Sequence, residues 1–207
     1  MSATLPTRSP TQPPFQRLTV KQYDDMIAAG IIPEGSPVEL IDGFLIRKDR
    51  AEAGKDIMSV GNRHRSTVQL IERWLMNLLI NQGFHCTTQQ PIQLPPYDEP
   101  EPDLAVIRGR IEDYFDRKPG PGDVALVIEV ADSSLSFDRD DKKKRYALAG
   151  IEHYWVVDLV HSHIECYSGP QHGDYLSPSI KLLDDRISLP AELARLGEVE
   201  VGTLLAP

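Results

Sequence analysis

Two acids and a lysine, each set against apolar sequence, carry the chemistry this chain offers. Asp103 follows a proline in "EPDLAVIRG", and Glu129 interrupts the apolar run "DVALVIEVA". Both stretches read as short strands. If they are neighbours in one sheet, the two carboxylates converge on one edge. Carboxylates held close repel, so one keeps its proton unless a cation lies between them. Mg²⁺ suits such a pair, because it takes hard oxygen ligands and completes its shell with water and substrate phosphate. The carbonyl of Val130 adds another oxygen. A bound ion of this kind polarises a phosphoryl oxygen, lowers the pKa of an attacking water and offsets charge on the leaving oxygen. The expected cofactor is therefore Mg²⁺, with Mn²⁺ as a substitute.

A lysine would complete the set by holding the water and stabilising the phosphate in flight. Strand side chains repeat every second residue, so the position sharing the face of Glu129 is 131, which is alanine. The nearest lysines are Lys142, Lys143 and Lys144, on the helix that follows. Lys142, Tyr146 and Ala149 make one stripe at i, i+4 and i+7. That stripe turns Lys142 inward and leaves Lys143 and Lys144 to other faces.

Each residue also has a plainer reading. Glu129 could form a buried salt bridge to Lys142 or an arginine, since an unpaired acid in a dry strand is costly. Asp103 could cap a turn after its proline. Glu39 is either a solvated strand residue or an extra ligand or water-holder. His64, in the first turn of a helix, is either exposed or touches substrate phosphate or orients Glu39. Gln90, in "TTQQP", could reach the site from a neighbouring strand. Asp140 and Asp141 at a helix start, with cations after them, suit the helix dipole. "HSHIEC" sets His161, His163 and Glu165 on one strand face, but a hairpin without a second ligand cluster is a poor zinc site.

The elements that must position these residues follow from periodicity. "TVKQYDDMIAAG" (19–30) reads as a helix capped by Thr19 and stopped by Gly30. Asp42-Gly43 between two apolar runs marks a type I′ hairpin with strands near 37–41 and 44–48. Residues 62–82 form the strongest helix, with Val68, Leu70, Ile71, Trp74, Leu75, Leu78 and Leu79 on one face and Gly83 as its stop. "FHCTTQQPIQL" is extended, with Pro91 at an edge or bulge. The run around Glu129 is continuously apolar, as in a strand covered on both faces. A helix over 138–149 stops at Gly150, "HYWVVDL" is another covered strand, and a meander and a brief helix after Pro190 follow. This predicts an α/β fold, a mixed β-sheet core flanked by helices with additional hairpin and meander strands.

The chain of 207 residues with 41% hydrophobic content is enough for one domain. The Pro/Ser/Thr-rich residues 1–14 read as a flexible N-terminal arm and 15–207 as the single domain. No apolar run reaches the ~20 residues of a membrane span, and the N-terminus lacks a signal-peptide core, which points to the cytoplasm. Cys86 and Cys166 match no metal-ligand spacing and read as buried thiols. A net charge of -9 and a pI near 5.1 argue against a non-specific nucleic-acid coat protein. They leave room for an enzyme with a local basic patch.

"PD" at 102–103 with Glu129 some 26 residues on resembles the half-motif of the PD-(D/E)XK nuclease superfamily. A more specific set, "VELIDG" (38–43), His64 opening a long helix, "PDLAV" (102–106), "VIEVADSS" (127–134) and "DRDDKKKRYALAGIEHYWVVD" (138–158), resembles in order the Uma-two family of restriction-endonuclease-like proteins. The resemblance covers roughly residues 15–190. The proline usual after the glutamate is absent from "EVADSS". The resemblance implies a restriction-endonuclease-like fold and a Mg²⁺-dependent endonuclease acting on DNA. It implies Asp103, Glu129 and Lys142 as the core, with the lysine moved from strand to helix, and Glu39 and His64 as accessories. A homodimer would supply two sites for two strands. The alternative from another class is a catalytically silent nuclease-fold module that binds DNA or protein.

Overall fold

The computed structural model describes residues 16–48, 61–132 and 135–207. The expected arm at 1–14 and the serines at 133–134 lie outside the described residues. Helix α1 (Val20–Ala28) opens with Thr19 as its cap. The Thr19 hydroxyl accepts from the Gln22 amide while the Gln22 side chain accepts from the Thr19 amide. A hairpin follows, β1 (Val38–Ile41) and β2 (Phe44–Arg47). Asp42 and Gly43 turn it with φ of 53° and 78°, the left-handed pair of a type I′ turn. Helix α2 is Asn62–Leu79. It ends before the expected stop at Gly83, because Ile80 is already extended and Asn81 takes a φ of 58°.

A six-stranded sheet runs β3-β4-β5-β6-β7-β8. Its strands are β3 (Phe84–Thr88), β4 (Leu104–Arg108), β5 (Val124–Ala131), β6 (His153–Asp158), β7 (His163–Gln171) and β8 (Asp174–Lys181). All neighbours are antiparallel except β5 and β6, which need a crossover. That crossover contains α3 (135–148), one helical run in three parts. They are an α turn Leu135–Phe137, a π turn Asp138–Lys142 and an α segment Lys143–Leu148. The helix thus begins three residues before the expected 138. A small pair, β9 (Arg186–Ser188) with β10 (Glu198–Glu200), completes the chain, and the brief helix after Pro190 is a 3₁₀ turn. Among the described residues no helix is long and apolar enough to cross a membrane.

The strand alternation divides the core. Leu104, Val106, Leu126, Ile128, Val130, Trp155 and Val157 face α2 and pack on its Val68, Ile71, Leu75 and Leu79. Ala105, Ile107, Val127, Ala131, Tyr154 and Val156 face α3 and meet its Tyr146 and Ala147. Each large side chain so buried contributes about 1.5–3 kcal/mol. Glu129 lies between Val127 and Ala131 in this alternation, so it belongs to the face that α3 covers. A third cluster, Val20, Tyr23, Ile32 and Leu40, docks α1 against the hairpin. The hairpin lies outside the main sheet. It is tied to the segment before β4 by a Leu40–Glu99 bridge and by the Gly43 amide on the Tyr97 carbonyl at 2.7 Å.

Candidate active site

β4 and β5 are antiparallel neighbours, with Leu104 opposite Ile128. Asp103, one residue ahead of β4, therefore stands beside Glu129 and Val130 rather than within the strand. The Asp103 amide donates to Glu129 Oε2 at 3.3 Å, and the Val130 amide donates to Asp103 Oδ2 at 2.9 Å. Main-chain donors on two adjacent strand ends thus lock the two acids together. In an extended strand a residue's N–H and C=O point to the same edge, so the Val130 carbonyl also turns toward Asp103.

From the other side comes α3. Lys142 Nζ donates to Glu129 Oε1 at 2.9 Å and lies 3.3 Å from Glu39 Oε2. Tyr146 donates its hydroxyl to the same Glu129 Oε1 at 2.9 Å. Glu39 is carried by β1 and also accepts from the Glu101 amide at 3.1 Å. Glu129 and Lys142 are only 3% and 5% exposed. The spacing of Lys142 and Tyr146 puts both on one face, as their i, i+4 relation requires. The π turn adds a residue to that turn of the helix, a feature frequent at functional sites.

His64, in the first turn of α2, meets Asp103 Oδ2 through Nε2 at 3.1 Å. It orients Asp103, rather than Glu39 as the sequence reading offered. Its Nδ1 is buried and meets no hydrogen-bond partner among the described residues. Gln90 lies beyond β3, is exposed, and makes no hydrogen bond to the site among the described residues. Sequence reasoning missed Asp138, buried at the start of the π turn and close enough for its charge to act on Glu129, Lys142 and His64. It also missed Lys48, whose Nζ pairs with Glu101. The spacing of Asp138, four residues before Lys142, was the available signal for the first. Nothing local marks the second.

The electrostatics follow from burial and partners. Burial pushes the Glu129 carboxyl up to about 8 against the pull of Lys142, and the charges of Asp138, Asp103 and Glu39 add to the rise. Burial works against ionised Asp103, yet the His64 bond and charge, the Val130 amide and Lys142 together hold its carboxyl below the usual carboxylate range. Burial also opposes the Lys142 charge, but Glu129, Glu39 and Asp138 overcome it and hold the proton on more tightly than usual. The His64 imidazole is desolvated too, and Asp103 still raises its proton affinity. Lys142 is thus a fixed ammonium that donates hydrogen bonds.

This donor set fits a hard divalent cation. Asp103 and Glu129 present oxygens side by side, Asp103 keeps 15% of its side chain exposed, and its Oδ1 accepts no bond from the described residues. Two carboxylates and a carbonyl suit Mg²⁺, which keeps several waters, better than a metal needing a closed protein cage. The one tighter group of possible ligands among the described residues is Asp158, His163 and Glu165, whose ligand atoms lie within 4.8 Å of one another. There Arg139 donates to Asp158 at 2.7 Å and to Glu165 at 3.0 Å. A guanidinium already supplies the positive charge. His161 sits in the turn before β7, so it does not share the strand face of His163 and Glu165.

The fold is that of a nuclease-fold protein. A solved structure described as "a putative nuclease belonging to DUF820", from Anabaena variabilis ATCC 29413, superposes with a TM-score of 0.65 at 16% identity, covering 90% of this chain and 97% of that one. No curated protein matches the chain. The family model of Uma2, described as "Putative restriction endonuclease", matches residues 20–201, and the chain belongs to this family.

Proposed function

We propose that this chain is a Mg²⁺-dependent endonuclease that hydrolyses phosphodiester bonds in DNA. The family description and the nuclease structure from Anabaena support a nuclease. The observation that carries the finer reading is the reciprocal main-chain lock of Asp103 and Glu129, with Lys142 on Glu129 from the opposite side. Asp103, Glu129 and the Val130 carbonyl would hold the ion. When bound, it supplies a polarised phosphoryl oxygen and a more acidic attacking water. Lys142 donates a hydrogen bond that positions that water for in-line attack, and Glu39 holds Lys142 from behind. His64 keeps the Asp103 carboxylate ionised and aimed. A homodimer would present two such edges to the two strands of a duplex.

The decisive experiment is plasmid cleavage with Mg²⁺ or Mn²⁺ by the native chain, Asp103→Asn and Lys142→Ala. Each substitution is expected to lower cleavage by at least roughly 100-fold, the scale of losing one preorganised charge-stabilising group. Equal cleavage by the variants would remove the assignment. One observation favours a silent binding module instead. The Glu129–Lys142–Tyr146 cluster is already satisfied and nearly closed to solvent. Calorimetry separates the two: Mg²⁺ binding that disappears in Glu129→Gln supports the enzyme, and no binding supports the module.

A further inference from the structure

Lys142 turns two of its three N–H donors to buried carboxylates, which leaves one for water. The residue is 5% exposed, and its ammonium lies against two buried carboxylates, Glu39 and Glu129. A DNA phosphate approaching Asp103 brings a negative charge, whereas the charge of Lys142 is already shared by two buried carboxylates, and breaking such a pair leaves an uncompensated charge. Lys48 stands in a different position. It leaves β2 beside the same edge, with Glu39, Lys142 and Glu129 as its charged neighbours. Its side chain is 32% exposed and its Nζ pairs with Glu101, itself 22% exposed. Glu101 is two residues ahead of Asp103 in the chain, and its amide holds Glu39.

This partly exposed ion pair is more readily exchanged than the buried pairs of Lys142. If Lys48 changes partners, Glu101 returns to water without burying a charge, while its amide keeps Glu39 in place. We infer that Lys48 is the substrate-phosphate contact of this site, held ready by Glu101 and passed to a DNA phosphodiester that docks beside Asp103 and Glu129. The inference rests on the nuclease reading and adds a residue to it. Lys48 then contributes to substrate affinity, and Glu101 competes with the substrate for the same ammonium.

The test measures binding of a short duplex in Ca²⁺ across a salt series, and Mg²⁺ cleavage, for the native chain, Lys48→Ala, Lys48→Arg and Glu101→Gln. Lys48→Ala is expected to weaken binding about tenfold, to reduce the salt slope by roughly one, and to raise KM more than it lowers kcat. Lys48→Arg restores the slope. Glu101→Gln removes the competitor and tightens binding, an opposite sign that a merely destabilised protein does not give. A native chain that cleaves, with Lys48→Ala unchanged in KM and salt slope or Glu101→Gln no tighter, overturns the Lys48 inference and leaves the nuclease reading standing. A native chain that neither binds nor cleaves the duplex overturns both.

Discussion

Asp42 and Arg145, 103 positions apart in the chain, join at 2.8 Å between the tip of the β1–β2 hairpin and α3. The pair repeats the spacing of the site itself. Glu39 and Asp42 are three residues apart, Lys142 and Arg145 are three residues apart, and they meet in that order. The hairpin is thus clipped to the helix twice, once inside the site and once at its rim. Asp42 also binds Arg17, and its amide donates to Asp98 at 2.6 Å.

Arg145→Ala therefore removes the outer clip and leaves the inner one in place. Its side chain is 15% exposed and that of Asp42 24%, so the expected loss is about 1–3 kcal/mol. That corresponds to a Tm lower by roughly 2–12 °C for a chain of this size. A double-mutant cycle with Asp42→Asn, which keeps the left-handed turn residue, should return a coupling of about 1 kcal/mol. Additive effects would show that the two side chains act separately.

The raised Glu129 carboxyl makes metal binding and stability respond to pH in opposite directions. Its proton affinity rises from the ordinary 4.5 to about 8 in the fold without metal. The folded state then holds a proton that the unfolded chain has released, so stability falls as pH rises from about 4.5 to about 8. Metal must displace that proton, so Mg²⁺ affinity should climb over the same window, approaching tenfold per pH unit, and level above it. Calorimetry in buffers of different ionisation enthalpy counts the released proton. Thermal unfolding of Glu129→Gln should lose the part of the pH dependence that Glu129 contributes.

Tyr146→Phe keeps the ring in the α3 core and deletes only the hydroxyl on Glu129 Oε1. Loss of about 0.5–1.5 kcal/mol is expected at neutral pH, the scale for a hydrogen bond to a carboxyl that keeps its proton up to about 8. Denaturant unfolding checks the loss. A stability unchanged from the native chain would mean that the hydroxyl has no part in holding Glu129.

Arg139→Ala leaves Asp158, which is 0% exposed, and Glu165 without their shared cation. A loss of about 3–5 kcal/mol is expected for stripping one partner from such a cluster. Added Zn²⁺ should not change the melting temperature of the native chain, because the guanidinium holds the site. Stoichiometric zinc in the purified native protein would contradict this.

What local chemistry encodes was legible in the sequence. Thr19 and Gln22 cap α1 within four residues, and Asp42-Gly43 specifies its turn without help from the rest of the chain. The apolar continuity around Glu129 announced a strand covered on both sides, and every residue of β5 is buried. The placement of Asp103 near Glu129 followed once those strands were taken as neighbours. Partners chosen by tertiary packing were not legible. His64 reaches Asp103 across 39 positions, Lys48 reaches Glu101 across 53, and Arg145 reaches Asp42 across 103. The start of α3 was missed because Leu135–Phe137 carries no acid to mark it, and a π turn has no residue signature to betray it.

The π turn at Asp138–Lys142 separates two phases of one helix. Arg139 answers to β6 and β7, whereas Lys142, Arg145 and Tyr146 answer to β5 and the hairpin. A uniform α-helix advances about 100° per residue, and one phase would then dictate the other. The extra residue works like a clutch between them, letting each half seat its own contacts. Deleting the exposed Asp140 would engage that clutch, swinging Lys142 off Glu129 while the sheet beneath stays intact.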